Sequence, residues 1–105
     1  MSINKNYAVF GLGRYGRAVA KELVDNGAEV IVVDSDSKTV EEFSGDFPIC
    51  KCADVTEQEA IKRLGISNID VVVIAITNSF ETSVMATMLC KEAGVKQVIV
   101  KCSDE

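Results

Sequence analysis

Apolar residues alternate along this chain between short, nearly continuous runs and longer segments in which they recur three or four positions apart. The runs are Tyr7 to Phe10 (YAVF), Glu29 to Asp34 (EVIVVD), Pro48 to Ala53 (PICKCA), Val71 to Ile76 (VVVIAI) and Gln97 to Lys101 (QVIVK). Several are rich in β-branched residues and lack a polar face, as strands covered on both sides require. The first intervening segment carries Ala18, Val19 and Leu23 at helical spacing and closes at Asn26-Gly27. A short helix capped by Asp36 or Ser37 runs to about Phe43. The stretch Thr56-Glu57-Gln58-Glu59 has the form of a capping box, opening a helix with Ala60, Ile61 and Leu64 that stops at Gly65. A last helix starts near Asn78 or Ser79, places Val84, Met85, Met88 and Leu89 on one face, and ends at Gly94.

Strict strand–helix alternation predicts a parallel sheet with right-handed crossovers and helices on both faces. The expected fold class is α/β: a single-domain, Rossmann-like doubly wound sheet of strand order 3-2-1-4-5, with VVVIAI central as the most apolar run. Ligands of such sheets bind at the carboxyl ends of the strands, where the winding changes direction. No repeat, low-complexity segment or linker interrupts the 105 residues, which predicts one compact unit with one ligand site.

Composition narrows the chemistry. A net charge of −5 argues against a broad nucleic-acid or anionic-membrane surface, so any anion must be held locally. No apolar run reaches the roughly 18 residues needed to cross a bilayer, and MSINKNY lacks the apolar core of a secretory signal, so the expectation is a cytoplasmic protein without direct membrane insertion. The absence of histidine removes the commonest general base and metal ligand. Cys50 and Cys52 are spaced C-x-C on one strand face and read as small buried hydrophobes. With strands 3 and 5 at opposite edges, about 19 Å apart at ~4.8 Å per strand, Cys50 and Cys102 could not share a metal; no metal site is expected.

The site itself is announced by Gly11-Leu12-Gly13-Arg14-Tyr15-Gly16, a G-x-G-x-x-G that follows a strand, opens a helix, and precedes an acidic strand end, Asp34, eighteen residues beyond Gly16. In that geometry Gly11 permits a tight turn, Gly13 leaves room for a pyrophosphate against the main chain, and Gly16 lets the helix approach the sheet. Free amides and the positive helix end hold the phosphates without a basic surface. Asp34 would accept hydrogen bonds from ribose hydroxyls and repel a 2′-phosphate, favouring NAD or an adenosine phosphate over NADP. Arg14 either folds over the phosphates or is a solvated helix-start residue. Asp54 either flanks the adenine or only starts a helix. Thr77 and Asn78 either face the rest of the ligand or cap the next helix.

VFGLGRYG, with its arginine after the second glycine and aromatic before the third, resembles the regulatory subunits of Trk/Ktr-type potassium uptake systems, whose amino-terminal lobe is the RCK (KTN, TrkA-N) domain. VIVVDSD, CADVT, and VVVIAI followed by TNSFETS carry the likeness over nearly the whole chain. The resemblance implies residues 1–105 of a longer regulatory subunit: a non-enzymatic, homo-oligomeric module, dimeric and arranged as a ring of dimers in the family. It would act beneath an integral-membrane potassium-translocating subunit, with exchange of NAD(H), ATP or ADP gating transport. It would thus lie at the inner face of the cell membrane through that partner. The family's nucleotide contacts map onto Gly11, Leu12, Gly13, Arg14, Tyr15 and Gly16, onto Asp34 and Ser35, onto Asp54 and Val55, and onto Ala75, Ile76, Thr77 and Asn78. Dimers of the family use sheet-flanking helices, for which Phe80, Met85 and Met88 are apolar candidates, although at least two of them fit core packing. Two rivals share the fold: the NAD-binding half of a dehydrogenase, and an oligomerisation scaffold with an empty glycine loop.

Overall fold

In a computed structural model, the protein is described over residues 5–101. Five strands, β1 (Asn6–Phe10), β2 (Glu29–Asp34), β3 (Ile49–Cys52), β4 (Val71–Ile74) and β5 (Gln97–Val100), alternate with α1 (Arg14–Asp25), α2 (Ser37–Phe43), α3 (Gln58–Arg63) and α4 (Phe80–Glu92). All neighbouring strands pair in parallel, in the order β3-β2-β1-β4-β5 that the alternation predicts. Side chains on successive strand positions point to opposite faces, so each central strand feeds two cores. Tyr7, Val9, Val32 and Val73 pack with Ala20 and Leu23 of α1 on one side. Ala8, Phe10, Val72 and Ile74 pack with Ile61 of α3 and Ala86 and Cys90 of α4 on the other.

The helix ends follow local chemistry. Asp36 caps α2 by accepting from the Lys38 amide at 3.1 Å and the Thr39 hydroxyl at 3.0 Å. α1 closes at Asn26 with Gly27 in a left-handed conformation (φ 86°), and the Ala28 amide reaches back to the Leu23 carbonyl at 3.0 Å.

Four expectations are corrected. The capping box at Thr56 does not form. Both the Thr56 amide and its hydroxyl turn back to Asp54 Oδ1, at 3.0 and 2.6 Å, and Glu57 becomes the N-cap without a side-chain bond. An aspartate two residues upstream thus outcompetes the box. On α1, Ala18 is exposed while Gly16, Ala20 and Leu23 are buried. On α4 the sheet-facing stripe is Ser83, Ala86 and Cys90, with Leu89 half-buried, whereas Val84, Met85 and Met88 are 40, 43 and 53% exposed and Phe80 is 85% exposed. α4 carries two stripes at helical spacing, and the one with small side chains lets the helix sit closest to the sheet. None of Phe80, Met85 and Met88 therefore belongs to the core. On β3 the two cysteines do face the same side, their thiols near the Val40 and Ser35 carbonyls, but this strand is a sheet edge; Cys50 is half-buried and Cys52 exposed, not buried. Cys102 lies outside the described residues.

Candidate functional site

A cleft of about 790 Å³ opens at the carboxyl ends of the strands, where connections from β1 and β4 leave on opposite faces. That is the place a doubly wound sheet provides for a ligand, and the size suits a nucleotide. The glycine bend forms its floor, and the three glycines have different reasons to be glycine. Gly11 has φ 105°, its amide donates to the Val33 carbonyl at 2.8 Å, and a Cβ there would stand 2.6 Å from the Ala75 carbonyl oxygen. At Gly16 a Cβ would overlap the Gly11 carbonyl, so α1 can begin where it does only without one. Gly13 has an ordinary φ of −72°, and a Cβ there meets nothing within 4 Å. Neither backbone strain nor packing in the folded chain requires that glycine. The space it leaves lies over the start of α1, whose N-cap, Gly13, provides no side-chain cap for the first-turn amides. Free amides at a helix start are the kind of group that receives an anion.

Asp34 closes β2 beside the bend. Its Oδ2 accepts from the Leu12 amide at 2.8 Å and its Oδ1 from the Asp36 amide at 2.9 Å, which fixes the carboxylate plane and leaves lone pairs on both oxygens for hydroxyl donors. Asp54 lies across the cleft on the loop after β3. Hydrogen bonds from Thr56 hold its carboxyl below the usual carboxylate range, so it remains charged. It serves the following turn and also lines the cleft.

Of the residues expected at the site, Gly11, Leu12, Gly13, Asp34, Ser35, Asp54, Val55, Ala75, Ile76, Thr77 and Asn78 line this one cleft; Arg14, Tyr15 and Gly16 stand outside its lining. β4 ends at Ile74, two residues earlier than expected. The Ala75 amide still bonds the Phe10 carbonyl at 2.7 Å, and Ile76 to Asn78 then turn away along the rim. Ser79 caps α4 through the Thr82 amide at 3.2 Å, so capping does not engage the side chains of Thr77 and Asn78. Ser83 ties the loop down by donating its hydroxyl to the Ile76 carbonyl at 2.7 Å.

Sequence reasoning missed one wall of the cleft altogether. Arg17, Thr39, Glu42 and Phe43 line it, along with Ser79 and Thr82 at the start of α4. Arg17 lies three residues beyond Arg14, and Thr39, Glu42 and Phe43 recur at helical spacing on α2. Only the packing of α2 beside α1 brings them together. The signal present in the sequence was an arginine and an aromatic at positions that two neighbouring helices could present to each other.

A parallel doubly wound sheet with a glycine bend, an uncapped helix start and an acid closing the second strand defines the class: a Rossmann-like domain. The TrkA-N domain family matches residues 7–105, and the chain belongs to that family. It is similar to the Ktr system potassium uptake protein A of Vibrio alginolyticus, 43% identical over 96% of this chain and 46% of that protein. It is also similar to the Ktr system potassium uptake protein C of Bacillus subtilis, 34% identical over 98% of the chain and 47% of that protein. The chain thus spans about half the length of these relatives. Among solved structures, the TrkA-N domain of the inner membrane protein ybaL from Escherichia coli superposes with a TM-score of 0.68 at 14% identity, covering 91% of this chain and 87% of that one. Among the described residues, no helix is long and apolar enough to cross a membrane.

Proposed function

We propose that this domain is a non-enzymatic regulatory module that binds an adenine nucleotide, NAD(H) or ATP/ADP, and couples the identity of that ligand to potassium uptake through a membrane-embedded translocating subunit. The observation that carries the reading is Gly13, a glycine that neither a positive φ nor close packing requires, at the N-cap of α1 where no side chain covers the first-turn amides. In this reading the amides of the bend hold the phosphates and Asp34 accepts from the ribose hydroxyls. Asp54 and Val55 flank the adenine, and Ala75 to Asn78 face whatever distinguishes one ligand from another. The names of the relatives support the potassium-uptake setting. The exposed Phe80, Met85 and Met88 of α4 support self-association through that helix. In this reading the domain lies at the cytoplasmic side of a membrane, held there by its partner.

A ligand shifts a conformational equilibrium only through unequal affinity for the two states. Calorimetric titration of the domain with ATP, ADP, NAD and NADH therefore tests the reading. Binding of the four with distinct affinities is expected; identical affinities would remove the basis for sensing, and absence of binding would remove the site.

A further inference from the structure

The cleft is lined by four carboxylates, Asp34, Asp36, Glu42 and Asp54, and among the described residues Arg17 is its one lysine or arginine. An anionic ligand entering there meets a predominantly negative wall, against which a helix end offers only about half an elementary charge. Arg17 pairs with none of those acids, and the ion pair found among the described residues, Lys21 with Asp25, lies elsewhere on α1. Its guanidinium is held by two other contacts. One nitrogen donates to the Leu12 carbonyl at 3.0 Å, and the central carbon sits 4.2 Å from the centroid of the Phe43 ring. These contacts fix the plane of the group while using one of its five N–H donors. They also anchor it to the bend, because the same Leu12 peptide is held at its amide by Asp34 at 2.8 Å. A strut needing only shape would not require a charge, and a charge needing only neutralisation would be expected to sit on a carboxylate.

We infer that Arg17 is a phosphate-binding and specificity-determining residue of the cleft. Its guanidinium, oriented by Phe43 and the Leu12 carbonyl, ligates phosphate oxygens of the nucleotide held at the glycine bend. This rests on the adenine-nucleotide reading above. It gives position 17 the cationic task that family resemblance would place at Arg14, which is exposed and outside the lining. Discrimination follows from the acids: a ligand's phosphates are tolerated among four carboxylates only where Arg17 offsets the repulsion, so affinity should depend on phosphate charge through this residue.

The test is calorimetric titration of the full chain, as parent, Arg17→Gln and Arg17→Lys, with adenosine, ADP and ATP at two salt concentrations. Arg17→Gln should weaken ADP and ATP by about tenfold or more, as loss of a charge-assisted bond does, and leave adenosine unchanged. Arg17→Lys should recover part of the loss, since it keeps the charge but not the planar fork. The salt dependence of ADP binding should be steeper for the parent than for Arg17→Gln, and this comparison decides the matter if adenosine binds too weakly to titrate. Equal binding of ADP and ATP by Arg17→Gln and the parent would overturn the inference. So would equal losses for adenosine and ADP, which would make Arg17 only a support for the bend. A parent that binds none of the three would instead overturn the nucleotide reading beneath it.

Discussion

Cys90 illustrates how a single buried residue ties the fold to solution conditions. It is fully buried on the sheet-facing side of α4, and burial pushes its thiol up to about 11, far above the ordinary ~8.5 of an exposed cysteine. An unfolded chain ionises this thiol first, so between about pH 9 and 11 the unfolded state holds fewer protons than the folded one. Stability must then fall as pH rises through that window, by up to ~1.4 kcal/mol per pH unit. Urea unfolding at about pH 8 and pH 10 should show a larger loss for the parent than for Cys90→Ala; parallel losses would contradict the assignment. Residue identity was legible where the chemistry is local, as at Gly11, with its positive φ, and Asp34, closing a strand. It was not legible at Cys52, because C-x-C spacing gives a shared face but not whether a helix covers the strand.

At the scale of elements, α1 is anchored by its third residue. A methyl group at Gly16 would overlap the Gly11 carbonyl and stand 3.3 Å from the Ala75 Cβ, both fixed by the sheet. Gly16→Ala should therefore cost about 2 kcal/mol or more, read as a lowered denaturation midpoint, while an ordinary midpoint would mean that α1 can move away from the bend. The alternation of runs and helical segments sufficed for the sheet order, because a parallel sheet leaves few ways to connect such elements. The facing of α4 was hidden, since Val84, Met85 and Met88 form as regular a stripe as Ser83, Ala86 and Cys90. What chooses between them is how closely small side chains let a helix approach. The start of α3 follows a competition that the pattern alone does not decide: the capping sequence at Thr56 is present, but Asp54 is nearer and takes the Thr56 amide and hydroxyl. The α2 wall of the cleft, Thr39, Glu42 and Phe43 opposite Arg17, is a tertiary product that spacing along one segment does not reveal.

Over the whole molecule, the cleft joins two parts of the chain that could respond to a ligand separately. The glycine bend, Asp34 and the start of α1 are cross-linked through the Leu12 peptide and form its fixed side. Ile76 to Asn78 and the first turn of α4 form the other, fastened by the Ser83 hydroxyl and the Ser79 cap. α4 also bears the exposed Phe80, Met85 and Met88, so a shift at its first turn would be felt on that exposed apolar face. All of this presupposes that phosphates sit in the gap at Gly13. Because a Cβ there meets nothing within 4 Å, Gly13→Val should still fold, losing about the ~1 kcal/mol that an apolar residue costs at a helix N-cap. The most direct measurement is the affinity of that variant for ADP and NAD, beside its thermal midpoint: the account predicts loss of binding with the midpoint lowered by no more than that capping cost, roughly 4–8 °C. Parent-like affinity in a folded Gly13→Val protein would contradict it.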